Sequence, residues 1–245
     1  MREDHLKGLP ALYVYPEGVR RWVRANMVAS VDGLAEAGGV SAGLSSPADE
    51  RLFHLLRGLA DVVLVGAGTV RAEGYGPARV SPEYAQVRAA AGQQPAAAIA
   101  VVSASLDLDF DSPLYTDATT PTITVTVEDA RPDRLARARA AGEVALAGRS
   151  GRVDLAAAID VLADSGRGRV LCEGGPTVLA AIAAADALDE LCLTISPQLR
   201  AGAGLRMLVG PAFAEPIGLD LGSLLTDDGF VFARYLVKST STHSQ

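Results

Sequence analysis

The run Val170-Leu171-Cys172-Glu173-Gly174-Gly175-Pro176-Thr177 carries an apolar stretch into a double glycine and then into an alanine- and leucine-rich segment. Those residue types suit contact between a backbone and a phosphate. Glycine lacks the Cβ that would keep the chain at a distance. Proline fits the first turn of a helix, and the free N–H groups of a helix start favour an anion. Glu173 sets the run apart, because phosphate binding alone gives an acid no task there; we expect it to face a second, reacting ligand. A second glycine turn, Gly66-Ala67-Gly68-Thr69, follows Val62-Val63-Leu64-Val65, and the serine pair Ser103-Ala104-Ser105 follows another apolar run. One such turn is usually only a turn. Three together can line one elongated, phosphate-bearing ligand. Neither glycine turn reads G-x-G-x-x-G, and no Walker lysine follows either.

These turns need strands to position them. Short apolar runs bounded by turns read as buried strands of a parallel sheet: 62–65, 96–102, 122–127, 143–147, 169–172 and 188–196. Residues 20–31 form a further strand that ends at Asp32-Gly33. Helices are expected from Pro47, with an apolar stripe of Leu52, Phe53, Leu55, Leu56 and Leu59, and over 83–91, 128–141, 154–164 and 177–185. Residues 34–46 and 71–82 read as loops. Residues 217–225 and 230–238 alternate about Thr226-Asp227-Asp228-Gly229, the pattern of an antiparallel hairpin. The order predicts one α/β domain over 1–245, with a core at about 20–238, a surface lead-in at 1–19 and a frayed tail at 239–245. Its central sheet is mostly parallel, with antiparallel C-terminal strands and helices on both faces. Ligands of such sheets sit at the carboxyl ends of the strands.

Composition narrows the function classes. Of 245 residues, 49% are hydrophobic and 21% charged, which describes a globular chain, and a net charge of −7 argues against a sequence-independent nucleic-acid surface. No apolar run approaches the length that spans a bilayer, and the charged opening Met1-Arg2-Glu3-Asp4-His5 is no signal peptide. The expectation is a cytoplasmic protein with no membrane partner. Cys172 and Cys192 lie in apolar runs and read as buried, reduced thiols, and with three scattered histidines they make no metal-ligand spacing.

Four segments occur together: Asn26-x-x-x-Ser30-x-Asp32-Gly33, then Leu56-Arg57-x-x-x-Asp61-x-x-Leu64-Val65-Gly66-x-Gly68-Thr69-Val70, then Glu173-Gly174-Gly175-Pro176-Thr177, then Leu188-Asp189-Glu190-Leu191 with Ser196-Pro197. In this order they resemble the reductase domain of the bifunctional riboflavin-biosynthesis deaminase–reductase, in stand-alone form. The resemblance covers residues 20–237. The zinc deaminase half has no counterpart, since no H-x-E with P-C-x-x-C occurs. The resemblance implies a dihydrofolate-reductase-like three-layer fold, a homodimer, and NADPH-dependent reduction of 5-amino-6-(5-phosphoribosylamino)uracil, with ribosyl converted to ribityl by hydride delivery to C1′. It places Gly66, Gly68 and Thr69 on one side of the cofactor, Gly174, Gly175, Pro176 and Thr177 at its pyrophosphate, and Ser103 and Ser105 near its 2′-phosphate. Asn26, Ala29 and Ser30 then lie where nicotinamide and substrate meet, and Glu173 stands near the reacting carbon and supplies a proton through water.

The chain also departs from that pattern. The family has a lysine where Leu34 stands, and an Asp-Pro-Leu run with a phosphate-binding arginine where this chain reads Arg71-Ala72-Glu73-Gly74-Tyr75-Gly76-Pro77-Ala78-Arg79. Glu73 and Arg79 are candidate replacements. Dihydrofolate reductases hold a pterin on an acid of their first helix, so Asp49 either binds a 2-aminopyrimidine ring or only stabilises the helix start. Two alternatives to the riboflavin-type activity follow: a pterin or dihydrofolate reductase, and an NADP-binding protein without turnover. The remaining polar residues have structural readings. Arg57 and Asp61 are spaced for an ion pair, His54 reads as a satisfied structural histidine, Asp189 and Glu190 as an acidic strand edge, and Trp22 as core or interface.

Overall fold

The computed structural model describes residues 9–36 and 38–238. Its frame is a nine-stranded sheet in the order β10-β11-β9-β1-β8-β2-β3-β4-β5. The strands are β1 (Trp22–Ser30), β2 (Val62–Gly66), β3 (Ala98–Val102), β4 (Ile123–Thr126), β5 (Glu143–Leu146), β8 (Arg169–Cys172), β9 (Glu190–Ser196), β10 (Leu219–Asp227) and β11 (Phe230–Val237). A two-stranded ribbon, β6 (Gly148–Arg149) with β7 (Arg152–Val153), stands apart. All pairs from β9 to β5 are parallel, and β11 runs antiparallel to both β9 and β10. The mostly parallel sheet with an antiparallel C-terminal hairpin is the architecture expected from the order of runs.

Helices cover both faces. On one, Leu52, Leu55 and Leu56 of helix α2 (Pro47–Leu59) pack on Val63, Val65, Leu171 and Phe232. On the other, Ile159 and Leu162 of α7 (Leu155–Asp164) and Leu179 and Ile182 of α8 (Pro176–Ala184) pack on Val62, Leu64 and Val170. The strand runs are continuously apolar because both faces are buried. Serine or aspartate caps start two of these helices: Ser46 Oγ accepts from Asp49 N, and Asp154 Oδ1 accepts from Ala157 N. Four shorter helices complete the fold: α1 (Leu9–Leu12), α3 (Ala67–Glu73), α4 (Ala85–Ala90) and α5 (Pro113–Thr116). Between α5 and α7 lies α6 (Pro132–Ala141), and a 3-10 turn spans Ala42–Leu44.

Three sequence readings change. The lead-in is packed where it is described: Leu9, Tyr13 and Tyr15 are buried, so apolar contact extends N-terminal to residue 20. The expected tail at 239–245 lies outside the described residues. Residues 67–73, whose composition predicts turn and loop, form α3, which packs against β2 and β3 and ends at Gly74 in the left-handed region, φ 63°. Asp189 and Glu190 do not form an edge, because β9 is interior to the sheet. Glu190 is fully buried and accepts from Arg24 Nε at 2.8 Å, Arg234 Nε at 2.7 Å and Trp22 Nε1 at 2.8 Å. Burial opposes its charge, but the Arg24 and Arg234 guanidiniums outweigh burial and hold its pKa below the usual carboxylate value. Asp189 Oδ2 accepts from Val23 N at 2.7 Å.

Candidate active site

The two glycine turns meet. Gly66 N donates to the Gly174 carbonyl at 2.9 Å, and Glu173 N donates to the Leu64 carbonyl at 3.0 Å, so the ends of β2 and β8 are tied side by side. A Cβ on Gly175 would stand 2.5 Å from Thr69 Oγ1, so only glycine allows this close approach of the two turns. A Cβ on Gly68 would meet nothing within 4 Å. No side chain caps the first turn of α8 at Gly175 and Pro176. These turns form one wall of a cavity of about 550 Å³ at the carboxyl ends of the strands. Gly66, Gly68, Thr69, Gly175, Pro176 and Thr177 all line it.

The opposite side is built from β1 and α2. Asn26 and Met27 line the floor, and the Asn26 Oδ1 atom is buried with no hydrogen-bond partner. Such an atom carries a desolvation cost unless a ligand or water meets it. Asp49 and Phe53, four residues apart on one face of α2, also line the cavity. The Asp49 carboxylate accepts from Ser45 Oγ through Oδ2 and from Thr194 Oγ1 through Oδ1, both at 2.6 Å. Each oxygen keeps one lone pair, enough for two parallel donors from a ligand.

Glu173 lines the cavity between these walls, and its oxygens are occupied. Arg57 Nε donates to Oε1 at 2.7 Å, Arg57 Nη2 to Oε2 at 2.6 Å, and the Tyr75 hydroxyl to Oε2 at 2.6 Å. Burial opposes the Arg57 charge, but Glu173 outweighs it and raises the guanidinium's pKa. Burial, followed by the Glu173 charge, pushes the Tyr75 pKa up, so the hydroxyl keeps its proton and donates it. Arg57 therefore does not pair with Asp61 as its spacing suggests. Asp61 Oδ1 accepts from Gln93 Nε2 at 2.7 Å and Oδ2 from Arg169 N at 2.9 Å.

The remaining predicted positions divide. Glu73 lines the cavity and accepts from Ser41 N at 2.8 Å. Ala29 and Gly174 lie beside the lining residues, and Ser30 holds the turn after β1: its Oγ donates to Asp32 Oδ1 at 2.5 Å and accepts from Leu34 N at 3.0 Å. Arg79 lies outside the cavity, ion-paired with Asp117 at the exposed surface. Ser103 and Ser105 are also outside it. Their hydroxyls accept from Leu106 N and Asp107 N and close a local turn. His54 is exposed and edge-on to Phe53 with ring centroids 5.6 Å apart, rather than a satisfied core histidine. Both cysteines are free and buried. Among the described residues no group of His, Cys, Asp or Glu could hold a metal ion, and no helix is long and apolar enough to cross a membrane. The sequence reading missed Arg57, Tyr75, Phe53 and Thr194. The i, i+4, i+8 spacing of Asp49, Phe53 and Arg57 was a signal for two of them.

The chain thus combines a mostly parallel α/β fold with a glycine-walled cavity at its strand ends. The chain matches the RibD C-terminal domain family over residues 21–228 and belongs to it. It is 30% identical over 224 residues to the 2,5-diamino-6-ribosylamino-4(3H)-pyrimidinone 5′-phosphate reductase of Methanothermobacter thermautotrophicus, spanning 90% of this chain and 100% of that protein. The protein of the same name from Archaeoglobus fulgidus is 26% identical over 180 residues, 73% of this chain and 81% of that one. The crystal structure of a pyrimidine reductase-like protein from Corynebacterium diphtheriae is similar with a TM-score of 0.80 at 28% identity, covering 89% of this chain and 92% of that one.

Proposed function

We propose that the chain is an NADPH-dependent reductase of 2,5-diamino-6-ribosylamino-4(3H)-pyrimidinone 5′-phosphate, the compound in the names of two of its relatives, and that it converts the ribosyl group to ribityl. The observation that carries the reading is one cavity with two dissimilar walls: glycine turns that admit a phosphate-bearing cofactor, and a buried carboxylate that suits an aminopyrimidine. Gly66, Gly68, Gly175 and Thr177 would hold the cofactor's phosphates, and the unpartnered Asn26 Oδ1 is an acceptor for an amide or amine donor. When bound, NADPH supplies the hydride for C1′. The chain orients the two ligands and excludes water.

Asp49 separates two closely related substrates. A 2-amino-4(3H)-pyrimidinone presents two donors, its 2-amino group and N3–H, to the two free lone pairs of Asp49. The deaminated uracil turns a carbonyl toward one of those oxygens. This favours the diamino compound over the uracil expected from the sequence. The same carboxylate favours a pterin as second reading, since a pterin carries the same two donors. Glu173, expected to move a proton, has three donors on its two oxygens; that environment supports orientation of the wall more than proton delivery.

The test is loss of NADPH absorbance in the near ultraviolet, with the diamino pyrimidinone phosphate, the deaminated uracil phosphate and dihydrofolate offered in turn. Fastest oxidation with the first supports the proposal. Oxidation with dihydrofolate alone replaces it by the pterin reading. NADPH binding without oxidation of any of the three leaves a nucleotide-binding protein.

A further inference from the structure

We propose that Arg57 is a positioning residue that sets the geometry of the cavity through Glu173 and Tyr75, without touching a ligand itself. The inference rests on the reductase reading and deepens it. Arg57 is not a lining residue, whereas Phe53, Tyr75 and Glu173 are. Its guanidinium meets all three: it forks onto both oxygens of Glu173, lies 4.2 Å from the Phe53 ring centroid and 5.3 Å from that of Tyr75. Three separate parts of the chain converge on this one planar group. They are α2, the segment after α3, and the end of β8.

Stability alone is a weak reason for such a pair. The Glu173 side chain is 3% exposed and that of Arg57 30%, and an ion pair with a buried partner gains little over apolar residues of similar size. What a fork on a carboxylate does supply is a fixed plane and direction. That direction matters here because Glu173 opens the Gly174-Gly175 turn. Glu173 N is tied to Leu64, and Gly174 is tied to Gly66. A carboxylate that swings free therefore moves its own oxygens, which line the cavity beside that glycine wall. Arg57 is in turn held from behind. Arg88 Nη1 donates to the carbonyls of Gly58 at 3.1 Å and Ala60 at 2.6 Å and fixes the last turn of α2. Asp61, the alternative partner by spacing, is occupied elsewhere.

A residue that acts only through another gives losses that do not multiply. The experiment is a double-mutant cycle of Arg57→Gln and Glu173→Gln, read on kcat and KM with the diamino pyrimidinone phosphate and NADPH, and on the NADP+ dissociation constant by calorimetry. Each single variant is expected to lose about tenfold or more in kcat, as misplacement of cavity groups does. The double variant is expected to fall within about twofold of the weaker single variant. Arg57→Lys keeps the charge but offers a point contact in place of the fork, and is expected to lose at least about threefold. Losses that multiply, or a folded Arg57→Gln protein within twofold of wild type in both readouts, overturn the proposal. If the glutamine variant does not fold, the lysine variant decides, and wild-type behaviour of it overturns the proposal. If wild type binds NADP+ but does not turn over the substrate, the reductase reading fails by itself. The cycle then stands on the dissociation constants, where coupling supports the positioning role and independence refutes it. Absence of NADP+ binding by wild type overturns both.

Discussion

The approach of the two glycine turns can be tested by adding one methyl group. Gly175 has φ −65° and ψ −174°, a conformation open to alanine, so Gly175→Ala brings no backbone penalty of the positive-φ kind. Its cost is steric. The new Cβ stands 2.5 Å from Thr69 Oγ1 and 3.9 Å from Thr69 Cβ. The first distance forces a shift, and the second is an ordinary contact. Overpacking of this kind costs about 1–3 kcal/mol. For a chain of this size, about 2 kcal/mol lowers the melting midpoint by about 4–8 °C. Thr69→Ala removes the offending oxygen, so the double variant should recover most of that loss. Gly68→Val is the counterpart: its Cβ meets nothing within 4 Å but stands on the cavity wall. It should leave the midpoint nearly unchanged and weaken NADP+ binding at least tenfold. Calorimetric melting and NADP+ titration of the four proteins read both effects. An unchanged midpoint for Gly175→Ala, or no recovery with Thr69→Ala, refutes the tight approach. Full NADP+ affinity in Gly68→Val refutes the phosphate wall.

Other outcomes follow from the same geometry. Asp49→Asn replaces a charged acceptor of two donors by a half-donor group, so KM for the diamino pyrimidinone phosphate should rise about tenfold to a hundredfold while the NADP+ dissociation constant stays put. Glu190→Gln breaks the ion cluster around a fully buried carboxylate and should cost about 3–5 kcal/mol in denaturant unfolding. Because the folded-state pKa of Glu190 lies below its ordinary 4.5, its contribution is complete above that pH and is lost as pH falls through the lowered value; acid melting of wild type against the variant should converge there. Burial pushes the Cys172 thiol up to about 12 and the Cys192 thiol up as well, so a thiol reagent should label neither in the native protein at pH 8 and both after unfolding. Light scattering should give a mass twice that of the chain if the expected homodimer forms.

What the sequence made legible was local. A run of valines between turns is a strand wherever it lies in a parallel sheet, and a double glycine before a proline announces a close backbone approach in its own residue types. The order of these runs carried the architecture. The partners of charged residues were not legible in the same way. Arg57 and Asp61 sit four apart, where a helix rule pairs them, yet Arg57 turns to Glu173, 116 positions away, and Asp61 to Gln93 and to the backbone of Arg169. Asp49 finds Thr194, 145 positions away. A pair spacing rule describes only an isolated helix. Once α2 lies on the sheet, a buried carboxylate at the end of β8 competes for the same guanidinium; its charge would be costly if left unpaired there, whereas Asp61 has Gln93 and the backbone N–H of Arg169 as donors. The tertiary pair wins for that reason. The same reasoning covers Glu190, whose position looked like an edge until β11 returned beside β9 and brought Arg234 with it. In both cases an acid at a strand end was the visible half of a buried pair. Its basic partner could be named only when the neighbouring element was known. At these two strand ends the acid is better read as one half of an arginine pair than as free to carry a proton.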